Sequence, residues 1–166
     1  MLRVIFDTNI YGKLVEESNF EDIATKIRND SDFKVYGFQL IRRELRDTPK
    51  KSKLGRLNKR NLLLNLYDGI TNGRYLEDSI KIHNIAMKFY NSYRTFDGIQ
   101  NRESINMDFT IVACASFYRL DIVISDDIHT MLSKNALKAF KHICIKEGLW
   151  HPNFWKYSDL KVRYKF

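Results

Sequence analysis

Two prolines and seven glycines in 166 residues leave no low-complexity or collagen-like stretch, and an apolar fraction of 44% is ordinary for a globular chain. Two cysteines cannot build a disulfide framework. Neither sits at metal-ligand spacing from another cysteine or a histidine, so a structural zinc site is excluded as well. Cys114 falls inside an apolar helical pattern and Cys144 in a short apolar stretch, and both read as reduced core residues. No apolar run approaches the roughly 18–20 residues of a membrane helix, and in MLRVIFDTNIYG an aspartate interrupts the run that a signal peptide would continue. These absences predict one globular cytoplasmic domain with no membrane span. Acids are in short supply relative to bases, 20 against 28, and the net charge of +8 favours an anionic partner such as nucleic acid.

What is present alternates between two periods. Leu2–Phe6 is a short β-branched and apolar run suited to a buried strand, and it ends at Asp7. Helical spacing follows over Thr8–Glu17, and again to about Asn29, with Ser18 as a candidate cap. Phe33–Phe38 reads as a second strand. Gln39–Asp47 reads as a helix halted ahead of Pro49, since the residue before a proline is barred from the helical region. A leucine stripe predicts a helix over Lys53–Ile70, with another over Glu77–Tyr93 and an apolar one over Ser104–Arg119. Asp121–Ile124 is a third strand and His142–Lys146 a candidate last one. Strands separated by helices imply a parallel α/β sheet with right-handed crossovers.

The acids fall at informative places in this order. Asp7 and the pair Asp126 and Asp127 each follow a predicted strand, which is where open α/β sheets bind ligands. Glu44 on the helix after the second strand, and Asp108 near the start of the apolar helix, can reach the same edge. Singly, each has a plainer explanation: a helix cap for Asp7, a surface ion pair for Glu44 beside Arg43 and Arg46, a helix-dipole partner for Asp108. Gathered, they repel, by about 4 kcal/mol for two charges at ~4 Å and an effective dielectric of ~20. A divalent cation held by oxygen ligands relieves that repulsion and suits phosphodiester hydrolysis.

The segments VIFDTNIYG, IRREL, MDFTIVACAS and IVISDD, in this order, resemble the four signature segments of the PIN-domain family, across nearly the whole chain. The resemblance implies a three-layer α/β/α Rossmann-like fold with a central parallel sheet. It also implies a Mg²⁺ or Mn²⁺ site and endoribonuclease activity, as in the VapC-type toxins of toxin–antitoxin pairs. By position, Asp7, Glu44 and Asp108 would be catalytic, metal-binding acids. The fourth would be Asp127, two residues after Ser125, with Asp126 an open alternative. Thr8, Asn9 and Ser125 resemble the family's supporting polar residues. The family also implies a homodimer and, for a toxin, an antitoxin protein as partner.

The stretch from about 49 to 100 is longer than in compact members and reads as a basic helical insertion. Its basic character starts earlier, in RRELRDTPKKSKLGRLNKR, where nine basic residues stand against two acidic ones: Arg42, Arg43, Arg46, Lys50, Lys51, Lys53, Arg56, Lys59 and Arg60. These are candidate phosphate contacts on RNA; the plainer reading is a solvated helix face. Trp150, Phe154, Trp155 and Tyr157 are assigned to packing of the tail, and the four histidines to surface or packing roles. An aspartyl phosphatase of the haloacid-dehalogenase type would carry a second aspartate where this chain has Asn9. A fold that binds RNA or protein without cleaving, and a housekeeping RNA-processing nuclease, remain as alternatives.

Overall fold

A computed structural model describes residues 1–166. Five strands form one parallel sheet: β1 (Leu2–Phe6), β2 (Phe33–Phe38), β5 (Tyr75–Leu76), β6 (Ile122–Ile124) and β7 (Asn153–Trp155), in the spatial order β5-β2-β1-β6-β7. A separate two-stranded hairpin pairs β3 (Lys53–Leu54) with β4 (Leu57–Asn58). Eight helices complete the chain: α1 (Thr8–Leu14), α2 (Phe20–Asn29), α3 (Gln39–Arg46), α4 (Lys59–Thr71), α5 (Ile80–Thr95), α6 (Arg102–Tyr118), α7 (Lys134–Glu147) and α8 (Tyr157–Tyr164). One group, α1 to α4 with α8, packs together, and α5 packs against both α6 and α7. The result is a three-layer, Rossmann-like α/β/α fold.

Covering both faces of a parallel sheet demands apolar residues at every strand position rather than at alternate ones. The central strands obey this: Val4, Ile5, Phe6, Ile122, Val123 and Ile124 are all buried. Helix α6 is enclosed on all sides over Phe109–Ser116, where Ala113, Cys114, Ala115 and Ser116 allow close approach to its neighbours. Both cysteines are free and buried, and no helix is long and apolar enough to cross a membrane.

From β1 the chain winds outward through β2 to β5, then returns across the sheet to β6 and continues to β7. The direction of winding therefore reverses between β1 and β6. At such a switch point the crossover helices leave on opposite faces and a crevice opens beyond the strands' carboxyl ends.

Three expectations change. Lys53–Asn58 is a hairpin turning at Gly55, whose φ of +61° glycine tolerates and other residues resist, so the predicted helix starts only at Lys59. His142–Lys146 lies in the last turns of α7, not in a strand; Ser133 caps that helix by accepting from the Ala136 N–H, and Gly148 ends it at φ +64°. The last strand is instead β7, inside the aromatic tail, where Trp155 stacks on Phe33 and Phe154 on Phe140. The stretch 49–100 is mostly helical, and it supplies β5 to the sheet and Tyr67, Ile70, Ile82 and Phe89 to the core.

Candidate active site

Asp7 leaves β1 at the switch point and caps α1, its Oδ1 accepting from the Thr8 N–H at 2.7 Å. Its Oδ2 accepts from the Ser125 hydroxyl and from Asn9 Nδ2, both at 2.6 Å. Ser125 follows β6 directly, so these bonds tie together the two strands that flank the crevice. The strands themselves are latched there by the Asp7 N–H donating to the Ile124 carbonyl at 2.9 Å. Asp7 is only 3% exposed. Burial raises its pKa, the bonds from Ser125 and Thr8 oppose the rise, and the charge of Asp127 adds to it.

Asp108 enters from α6, half-buried, and accepts a short hydrogen bond from the Thr130 hydroxyl. Burial pushes its pKa up to about 7; the Thr130 bond opposes this, while the charges of Asp7, Asp127 and Glu44 reinforce it. Glu44 approaches from α3 at the rim. Its surface is exposed, yet the protein crowded around its carboxyl, together with the Asp7 charge, raises its pKa as well, and the Thr8 hydroxyl offsets part of the rise. A cleft of about 440 Å³ opens here, lined by Thr8, Asn9, Glu44 and Asp47 among others.

The two adjacent aspartates after β6 part company. Asp127 turns back into the loop: its Oδ1 accepts from the His129 and Thr130 N–H groups at 3.0 Å, its own N–H donates to Ser125 Oγ, and its charge acts on Asp7 and Asp108. Asp126 faces the other way, paired with Lys13 and accepting from the Tyr157 N–H at 2.9 Å at the start of α8. Of the two, Asp127 belongs to the acidic group and Asp126 to the seating of the last helix.

Asp7, Glu44, Asp108 and Asp127 thus lie within range of one another's charge, but no three acidic, cysteine or histidine side chains stand close enough to wrap a single ion. Their anchoring accounts for the spacing. Asp7 already accepts four contacts, the weakest being the Thr8 hydroxyl at 3.3 Å, and Asp127 is turned toward backbone donors. Such a donor set, all oxygen and loosely spaced, fits a hard cation of the Mg²⁺ or Mn²⁺ class, which takes one or two carboxylates and fills its other positions with water and phosphate. It does not fit zinc, which wants nitrogen or sulfur donors in a tight tetrahedron.

Of the nine basic residues between Arg42 and Arg60, Arg42 is held by Asp68 through two hydrogen bonds, and Lys59 pairs with Glu16. Arg43 and Arg46 are exposed on α3, and Lys50, Lys51, Lys53 and Arg56 are exposed on the loop and hairpin that follow; Arg60 is half-buried at the start of α4. Thr130 is the site residue that the sequence reading missed. Its signal was faint: a hydroxyl three residues beyond Asp127, in the turn that Asp127 caps. Comparison with protein-family models and with curated proteins returned no match for this chain.

Proposed function

We propose that this chain is a metal-dependent endoribonuclease that hydrolyses phosphodiester bonds at the carboxyl edge of its sheet. One observation carries the reading: Asp7, Glu44, Asp108 and Asp127 come from four separate segments to the carboxyl edge at the switch point, where burial, reinforced by the charges of the other three acids, pushes Asp108 up to about 7. Burying like charges together is costly for a structural site, and functional sites are where such arrangements concentrate. Asp7 and Asp108 would hold the cation, with Glu44 and Asp127 binding through its water shell. A divalent cation bound here would lower the pKa of a water and neutralise charge on the phosphate. Ser125, Asn9 and Thr8 hold Asp7 in place. The unpaired bases of α3 and the β3–β4 hairpin would neutralise neighbouring phosphates, which supports a nucleic acid as substrate.

A Mg²⁺- or Mn²⁺-dependent toxin with an antitoxin partner and a homodimeric state is the specific form the family resemblance suggests; an RNA-processing role uses the same residues. A second reading has its own support: Asp7's oxygens are already occupied, as in a fold that binds RNA without cutting it. Purified protein incubated with a labelled RNA pool in Mn²⁺, Mg²⁺ or EDTA separates the two. The nuclease reading expects cleavage that needs metal and disappears in Asp7→Asn with RNA binding retained. Salt-sensitive binding without cleavage in either metal would favour the binding module.

A further inference from the structure

Helix α3 carries Glu44 toward the acidic group and, on another face, a stripe of Gln39, Arg42, Arg43 and Arg46 at helical spacing. A hollow of about 280 Å³ is lined by these four residues alone. Gln39 and Arg42 also line a neighbouring cavity of about 640 Å³, whose other walls include Tyr67, Asp68, Tyr75 and Glu77. Both hollows lie beyond the carboxyl ends of β2 and β5, on the same edge of the sheet as Asp7.

The larger cavity has an unusual lining for a basic protein. Tyr75 is 51% exposed and stacks at 20° on the buried Tyr67, with ring centres 6.1 Å apart. Both tyrosines crowd Gly37, where a Cβ would stand 2.7 Å from Tyr75 Cδ1 and closer still to the Tyr67 hydroxyl. Tyr67 is pinned through its hydroxyl to the Phe38 carbonyl and Tyr75 to Asp68, at 3.0 and 3.1 Å. Arg42 neutralises Asp68, and Asp78 accepts from Ser79 and faces His83. Glu77 is exposed and only its carbonyl is engaged, by the Tyr118 hydroxyl, so its carboxylate is a free acceptor.

We infer that the Tyr75 cavity is a nucleobase subsite selective for guanine, with the same nucleotide's phosphate on Arg43 and Arg46. Its placement beside a scissile bond rests on the ribonuclease reading; the binding itself does not. A flat, rigidly held aromatic ring offers a stacking surface to an unpaired base, the usual mode of single-stranded RNA recognition. A base alone can stack on Tyr75, but the hydrogen-bonding groups discriminate. Guanine's adjacent N1–H and N2–H groups match the two oxygens of one carboxylate, Glu77, and its O6 can accept from the Gln39 amide or the spare N–H of Arg42. Uracil would set two carbonyl oxygens against an acidic wall. The charge division fits a nucleotide: bases along α3 for phosphate, carboxylate and ring for the base edge.

The test uses the full chain in EDTA, so that no metal-dependent step runs, with guanosine 5′-monophosphate and uridine 5′-monophosphate titrated in turn and amide chemical shifts followed. The guanine nucleotide should shift Gln39, Tyr75, Leu76 and Glu77 and bind roughly tenfold tighter than the uracil one. Tyr75→Ala should weaken binding by roughly tenfold, the scale of one lost base–aromatic stack, and Tyr75→Phe by less than about threefold. Glu77→Gln, at an exposed position that cannot endanger the fold, should erase the preference between the two nucleotides. Equal binding of both, shifts confined to other surfaces, or a preference that survives Glu77→Gln would overturn the subsite. Guanine-selective binding without cleavage of any RNA would leave the subsite standing and remove the nuclease. Metal-dependent cleavage without base preference would do the reverse.

Discussion

A carboxyl whose pKa is raised by folding binds its proton more tightly in the folded protein than in the unfolded chain, and Asp108 is such a group. The sign of its effect follows: the folded state gains protons relative to the unfolded one, so metal-free stability falls as pH rises from 3.8 through about 7. In thermal melts in EDTA, the stability of Asp108→Asn relative to wild type should therefore rise with pH across this window, reaching a gain of roughly 2 kcal/mol at pH 8. A difference between the two proteins that stays constant across the window would remove the case for a raised Asp108. Asp126 and Asp127 supply a second contrast at this scale. Asp127→Asn should cut cleavage at least roughly tenfold, the usual cost of losing a residue that supports a metal's surroundings. Asp126→Asn should leave cleavage intact and cost about 0.5 kcal/mol in urea unfolding, because its ion pair with Lys13 is partly exposed. Sequence alone left these two open, since both follow one strand. Which one turns inward depends on Lys13 and the start of α8, far away in the chain.

Elements were legible where a single period ran unbroken. Strands β1 and β2 have the bounds their apolar runs predict, and α6 stands within two residues of its expected ends. Where two short signals competed, the local reading failed. In KHICIK, a short apolar stretch suggests a strand, but the cap at Ser133 and the stop at Gly148 enclose the segment in a longer helix whose Phe140, Ile143 and Cys144 face the core. Strand β5, at two residues, has no periodicity to detect; it exists because its backbone completes hydrogen bonds beside β2. Gly37 marks the point where this edge is most tightly built. Gly37→Ala should destabilise the protein by roughly 1–3 kcal/mol, the range for forcing a methyl group into a filled space. Denaturant unfolding measures this, and a neutral result would mean that the two tyrosines yield more easily than their hydrogen bonds suggest.

At the scale of the whole molecule the charge pattern makes its own prediction. Each phosphate contact on single-stranded RNA adds about 0.7 to the slope of log affinity against log salt. Replacing both Arg43 and Arg46 by Gln should therefore weaken binding to every RNA sequence and lower that slope by about 1.4. An unchanged slope would assign the surplus charge of this region to solubility alone.

The amino-acid order by itself determined the strand–helix alternation, the buried central strands, the lack of a helix long and apolar enough to cross a membrane, and the positions of Asp7, Asp126 and Asp127 just after strands. Those are local matters, decided by side-chain period and by which residues cap or break a turn. The tertiary structure alone decided that winding reverses between β1 and β6, that Thr130 joins Asp108, that Asp127 rather than Asp126 faces the acidic group, and that Tyr75 and Glu77 share a cavity with α3. Each of these depends on contacts between residues distant in the chain. They form only when the sheet's hydrogen bonds and the packing of its two helical layers bring the segments together.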